Sequence, residues 1–285
     1  MVQNKAFLYL RMIKFSHSVF ALPFAFTGAI LAASGIPPAA KLLWIAVAMV
    51  GARSGAMGLN RIIDSRIDAA NPRTAGREIP SGKIGAGEAA AFTVVSFAAL
   101  VFAAYMLNPL CLKLAPLAIV VLAFYSYTKR FTWLAHFVLG ISISAAPLGA
   151  WIAVRGSLDA EILPLAVAVI FWLAGFDVLY ALQDVEFDRN YGLHSIPQRF
   201  GVGKSLVLAR VFHFVTWSLL VCNGVLFHLG LIYWGGIIVV GGLLVYEHSL
   251  VRRDDLSRLD MAFFNMNGYI STAVFVFTLM AVIRL

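Results

Sequence analysis

The chain has 285 residues, 61% of them hydrophobic and only 13% charged, with a formal net charge of +8. A mean hydropathy of +0.87 lies far from the balance of a soluble domain and marks an integral membrane protein. Several apolar runs reach the roughly 18 to 20 residues that a helix needs to cross the hydrocarbon core, so the expected spanning elements are helices and not barrel strands. The positive charge then reads as Lys and Arg in cytoplasmic loops, not as a nucleic-acid footprint.

In chain order, nine spans are predicted, at about 17–35, 38–60, 87–107, 110–128, 133–153, 162–183, 204–226, 230–250 and 261–283, which makes an all-α polytopic bundle. An odd count puts the termini on opposite faces. The first run, with basic residues before it and "LAASG" after it, imitates a signal peptide, but it is long for one, and His17 and Pro23 inside it suit a retained helix. Ile36-Pro37-Pro38, Asn108-Pro109 and Arg155-Gly156 punctuate short connections, whereas 61–86 and 184–203 are long and polar. The side holding both long loops collects sixteen Lys and Arg, the other only Lys41, Lys113, Arg155 and Arg284. The positive-inside rule therefore predicts a cytoplasmic N-terminus, cytoplasmic cap loops and an outer C-terminus in the cytoplasmic (inner) membrane.

The two long loops echo each other. "DSRID" is followed by "IPSGKIGAG" and "DVEFD" by "IPQRFGVGK", with Asp64/Asp68 and Asp184/Asp188 separated by the same 120 residues. The expectation is one membrane domain over 1–285, with a pseudo-repeat of helix, acidic loop and helix around 38–107 and 162–226. Such a repeat would bring two acidic clusters to one mouth of the bundle.

On a helix, Asn60, Asp64 and Asp68 drift by only about 40° per step, so their oxygens face one way. Asp177, Tyr180, Asp184 and Asp188 share a face through steps of three and four. Carboxylates so spaced can hold Mg²⁺, which takes one or two of them and fills its remaining positions with water and phosphate oxygens. Two Asp pairs suggest two ions and a diphosphate, with Arg73, Arg77, Lys83, Arg189, Arg199 and Lys204 nearby as anion partners. "REIPSG" and "SIPQRFG" suit loops folding over an anion, and neither is a P-loop. In "YSYTKR", Lys129 can neutralise leaving-group charge with Tyr125 one turn away on the same face. The six histidines form no HxxxH or HExxH pair, which disfavours zinc; His17 and His136 are candidates because polar groups near lipid need a purpose. Cys111 and Cys222 fit no metal or disulfide pattern.

Across nearly its whole length the chain resembles the UbiA-type intramembrane aromatic prenyltransferases. Asn60-Asp64-Asp68 is similar to that family's N-x-x-x-D-x-x-x-D, Asp184-Asp188 to its second D-x-x-x-D, and Tyr125-Lys129 to its Y-x-x-x-K. The resemblance implies a helical bundle whose central cavity opens sideways to lipid beneath cytoplasmic loops. A polyprenyl diphosphate would bind through two Mg²⁺ at Asn60, Asp64, Asp68, Asp184 and Asp188, with Lys129, Arg73, Arg77 and Arg199 as further cations. An aromatic acceptor would attack the allylic cation, with Asp177 orienting it or removing its proton, and Tyr180, Tyr125, His17 and His136 as substrate contacts. Arg11 or Lys14 could pair with an acceptor carboxylate. "IKFSHSVFALPF" and "YSYTKRFTWLAHFVLG" look like the bacterial group acting on 4-hydroxybenzoate, or on a dihydroxynaphthoate in the menaquinone pathway. The former group has Pro-Gln where this chain has Ala135-His136. No protein partner can be inferred. Haem-type or lipid acceptors, and a transporter with an acidic mouth, are the alternatives.

Overall fold

A computed structural model describes residues 5–14, 18–259 and 261–284; the candidate His17 lies outside the described residues. Twelve α-helices follow in chain order: α1 (Lys5–Met12), α2 (Ser18–Ala33), α3 (Ala39–Ile63), α4 (Ser65–Ala70), α5 (Ala86–Leu107), α6 (Pro109–Thr128), α7 (Ala135–Arg155), α8 (Leu163–Ala181), α9 (Val185–Tyr191), α10 (Ile196–Leu226), α11 (Leu231–Leu250) and α12 (Asn267–Arg284). Each of the nine predicted spans coincides with one of these helices. Among the described residues eight are long and apolar enough to cross a membrane; the ninth, α2, carries a shorter apolar stretch over 21–33. The chain is a multi-pass membrane protein.

Local chemistry sets the helix ends. Pro109 starts α6, and the Asn108 side chain caps it by accepting the Cys111 amide at 2.9 Å. Gly156 closes α7 with φ of +75°, a conformation that costs glycine no steric penalty. α10 is broken at Gly201, where φ is +77°. Its first turn therefore belongs to the loop above the bundle, and this explains why the apolar pattern begins near 204.

α8 is the central helix, with 67% of its apolar window buried, whereas α6, at 17%, is peripheral and presents an apolar surface for lipid. Trp172 on α8 and Trp151 on α7 are fully buried in the main core shared with α10, α11 and α12. α3 lies along α5 through small residues: a Cβ on Gly51 would sit 2.7 Å from the Ser96 carbonyl oxygen, and one on Gly55 2.6 Å from the Phe97 ring. Close approach through small residues is how membrane helices gain contact when lipid gives no hydrophobic drive. α8 and α10 use the same device, because Gly175 leaves room for the buried His213 ring, whose Nε2–H donates to the Trp172 carbonyl at 3.1 Å and whose Nδ1 lies 3.0 Å from His248 Nε2.

Candidate active site

Helix α3 ends where the acidic segment begins. Asp64 caps it at φ −91°, ψ 3°, and its carbonyl accepts the Asp68 amide at 2.8 Å, so α4 continues nearly in line. Asn60, Asp64 and Asp68 consequently stay on one side, as their spacing predicts. The Asn60 amide donates to Asp64 Oδ2 at 3.0 Å. In the second segment a 3-10 turn, Leu182–Asp184, separates α8 from α9. The two segments meet directly: Asn71 Nδ2 donates to Asp184 Oδ1 at 2.9 Å, and Arg73 forks onto both Asp184 oxygens. Backbone bonding adds the end of α6, since the Lys129 carbonyl accepts the His194 amide at 2.7 Å.

Each carboxylate already has a cationic or hydroxyl partner. Lys129 Nζ lies 2.6 Å and Arg130 2.9 Å from Asp64. Arg77 lies 2.7 Å and Arg61 3.9 Å from Asp68, and Ser195 Oγ donates to Asp188 at 2.9 Å. Arg73 also donates to the Tyr180 hydroxyl at 2.9 Å and stacks on its ring. Burial lowers the Arg73 pKa, but its bonds to Asp184 and Tyr180 outweigh that and hold it above the usual guanidinium value. Lys14 Nζ also lies 3.5 Å from the Tyr180 hydroxyl.

Among the described residues no three His, Cys, Asp or Glu side chains cluster as a self-sufficient metal cage. Asp68 Oδ2 is nevertheless buried without a hydrogen-bond partner. Paired carboxylates with an orphaned oxygen fit an ion that takes few protein ligands and completes its shell with phosphate and water, the habit of Mg²⁺ and not of zinc.

Beneath this polar head lies a cavity of about 670 Å³. Lys14, Asn60, Asp64, Asp68, Arg73, Arg77, Tyr125, Lys129, His136, Asp177, Tyr180, Asp184 and Asp188 all line it. Its body is apolar and reaches Ile45 on α3 and Cys111 at the start of α6. Nineteen residues of helix separate Ile45 from Asp64, about 28 Å of rise, nearly the thickness of a hydrocarbon core.

Five predicted cations stand outside the cavity lining, and three of them, Lys83, Arg189 and Lys204, are solvent-exposed. Arg199 is absent from the cavity lining; it stacks on Trp133 and Phe200 at 5.3 and 5.5 Å, held by aromatic faces on the loop side of the α10 break. Arg11 is likewise outside the lining and pairs with the buried Glu78, tying α1 to the first loop. The cavity or its head is also lined by four polar residues of which no site role is expected from the sequence. Arg61 is 4% exposed, and its Nε donates to the Met12 carbonyl. Arg130 clips the α3 end through the Ile63 carbonyl and Asp64, and Asn71 bridges the segments. Arg53 lines the cavity with Nε buried and without a hydrogen-bond partner. Its one sequence signal is a guanidinium inside a span, seven residues before Asn60 and hence on the same face about 10 Å deeper.

Comparisons with known proteins agree with this fold. The model of the UbiA prenyltransferase family matches residues 21–269. Over 252 residues, 88% of either protein, the chain is 28% identical to a 4-hydroxybenzoate octaprenyltransferase of Vibrio parahaemolyticus. The apo structure of a UbiA homolog from Aeropyrum pernix K1 is 30% identical and superposes with a TM-score of 0.84, over 92% of this chain and 96% of that one. A UbiA homolog from Archaeoglobus fulgidus, bound to DMAPP and Mg2+, shares the fold at 19% identity, with a TM-score of 0.72 over 97% and 99% of the two chains.

Proposed function

We propose that this chain, which belongs to the UbiA prenyltransferase family and is a prenyltransferase, transfers a polyprenyl group from its diphosphate to the ring of an aromatic acid, 4-hydroxybenzoate or a dihydroxynaphthoate, in quinone biosynthesis. The observation that carries this reading is the pairing, in one cavity, of a carboxylate-rich head with an unpartnered Arg53 and with Asp177 in the wall below it. Asp177 stands seven residues before Asp184, as Arg53 stands seven before Asn60, so both lie about two helical turns inward of the head. In this reading a small acid would set its carboxylate against Arg53 and its reactive ring against Asp177, while the apolar body would take the prenyl chain.

Asp64 and Asp68, with Asn60, and Asp184 with Asp188 are the residues that would hold Mg²⁺, and bound metal would supply neutralising charge for the departing diphosphate. Lys129, Arg130, Arg77 and Arg73 would turn from their carboxylates to the diphosphate oxygens, stabilising negative charge as the allylic C–O bond breaks. Phe176, Trp172 and Tyr180 in the wall keep water from the allylic cation. The ring carbon attacks it, and the ring proton leaves to Asp177 while the C–H electron pair restores aromaticity. The head faces the cytoplasm in this reading, with the N-terminus on the same side of the cytoplasmic membrane.

The test is a membrane assay offering both acids with donors of several lengths, read by mass spectrometry. The expected product is the prenylated acid, lost on chelation and restored by Mg²⁺. Arg53→Met should raise the acceptor KM at least about tenfold, the weight of a charge-assisted hydrogen bond of ~1.5–3 kcal/mol, and leave the donor KM alone. Prenylation of a haem or glycerol-phosphate acceptor with neither acid modified would overturn the reading.

A further inference from the structure

Asp177 has one protein partner among the described residues, His136, whose Nδ1 lies 2.7 Å from Asp177 Oδ2. The other ring nitrogen, Nε2, faces the Ile196 amide at 3.2 Å. A backbone amide only donates, so Nε2 carries the lone pair and the ring hydrogen sits on Nδ1, donated to the carboxylate. Ile196 is the first residue of α10, and its amide is among the helix-end donors that the helix itself leaves unbonded. The adjacent Ser195 caps that helix by accepting the Gln198 amide and donates its own hydroxyl to Asp188. A continuous bonded path thus runs from Asp188 through Ser195, Ile196 and His136 to Asp177. His136 is 4% exposed, and both of its nitrogens are engaged by protein, which leaves neither for a substrate.

We propose that His136 is a positioning residue and not a substrate contact. The α10 N-terminus locks its Nδ1–H tautomer, so that it holds Oδ2 of Asp177 and turns Oδ1 toward the acceptor ring. Seating of the second loop over the diphosphate and alignment of the acceptor-side base then become one event. When the ring proton leaves, it goes to Asp177, and His136 keeps its own hydrogen throughout. The inference rests on the reading of Asp177 given above.

Two amides separate the two nitrogens of His136. The Asn amide nitrogen falls near the place of Nδ1, whereas the Gln amide falls near that of Nε2. His136→Asn should lower kcat for prenyl transfer about threefold, and His136→Gln about 30- to 100-fold, as misplacement of a reacting group by an ångström does, with the donor KM unchanged in both. Equal losses in the two variants, or a loss confined to the donor KM, would overturn the proposal. The histidine ¹⁵N spectrum of the detergent-solubilised chain needs no acceptor, with His136 assigned by its absence in His136→Gln. An Nδ1–H signature that moves in Asp177→Asn supports the proposal; an Nε2–H signature overturns it. If neither aromatic acid is prenylated, the functional reading fails, and this spectrum alone decides the role of His136.

Discussion

The side chains of Asp64 and Asp68 are 3% and 5% exposed, and four basic groups surround them, whereas that of Asp184 is 17% exposed and its cation, Arg73, comes from the opposite loop. Both segments share a D-x-x-x-D spacing, yet the first grows out of a helix and the second follows a broken turn. Asp64 and Asp68 inherit their direction from α3 and are neutralised by α6, α3 and their own loop. Asp184 and Asp188 are placed by contacts with Asn71, Arg73 and Ser195. One half of the site is built in and the other is assembled.

The largest expected effect is on turnover and should not distinguish the halves: Asp64→Asn and Asp184→Asn should each cost more than about 10²-fold, as loss of a charge-stabilising group does. Stability should distinguish them. Asp64→Asn strands Lys129 and Arg130 beside a buried site, a loss approaching the ~3–5 kcal/mol of a broken buried pair, and should lower the melting temperature in detergent. Asp184→Asn should leave that temperature nearly unchanged, and an equal drop in both would erase the comparison.

Arg73→Gln cuts the link between the halves. Its partly exposed pair contributes about 0.2–1 kcal/mol to stability, so melting should hold while the donor KM rises about tenfold; a large melting shift would show that the assembled half is as fixed as the other. Gly175→Ala presses on α8 from behind, against the His213 ring, and overpacking of about 1–3 kcal/mol should appear as a lower melting temperature. The smallest effect belongs to Ser195→Ala, which removes the α10 cap and a bond to Asp188. A loss of about 1 kcal/mol, seen as earlier unfolding in a thermal scan, should accompany a modest fall in turnover.

Much of the fold was readable because the bilayer imposes a length on every span, and the sequence displays that length as unbroken hydrophobicity. Within the site, Asn60, Asp64 and Asp68 were readable because helical periodicity alone aligns them. Arg130, Asn71 and Arg53 were not, because their roles arise from neighbours 60 or more residues away or from a cavity that no local pattern describes. Arg199 stands apart for a related reason: its place over Trp133, 66 residues earlier in the chain, is set by a tertiary contact that no local pattern describes.

One face of α3 bears Ala48, Ala52 and Ala56 along the apolar body of the cavity, while its glycines press against α5. At these three positions only a methyl group can be removed, so every substitution except glycine thickens the wall. Divergence at these positions would run in one direction, toward a shorter admissible chain, and would do so without disturbing the charged head. On the proposed reading, the helix that carries Asn60 and Asp64 would therefore also limit product size, through residues that take no part in the chemistry.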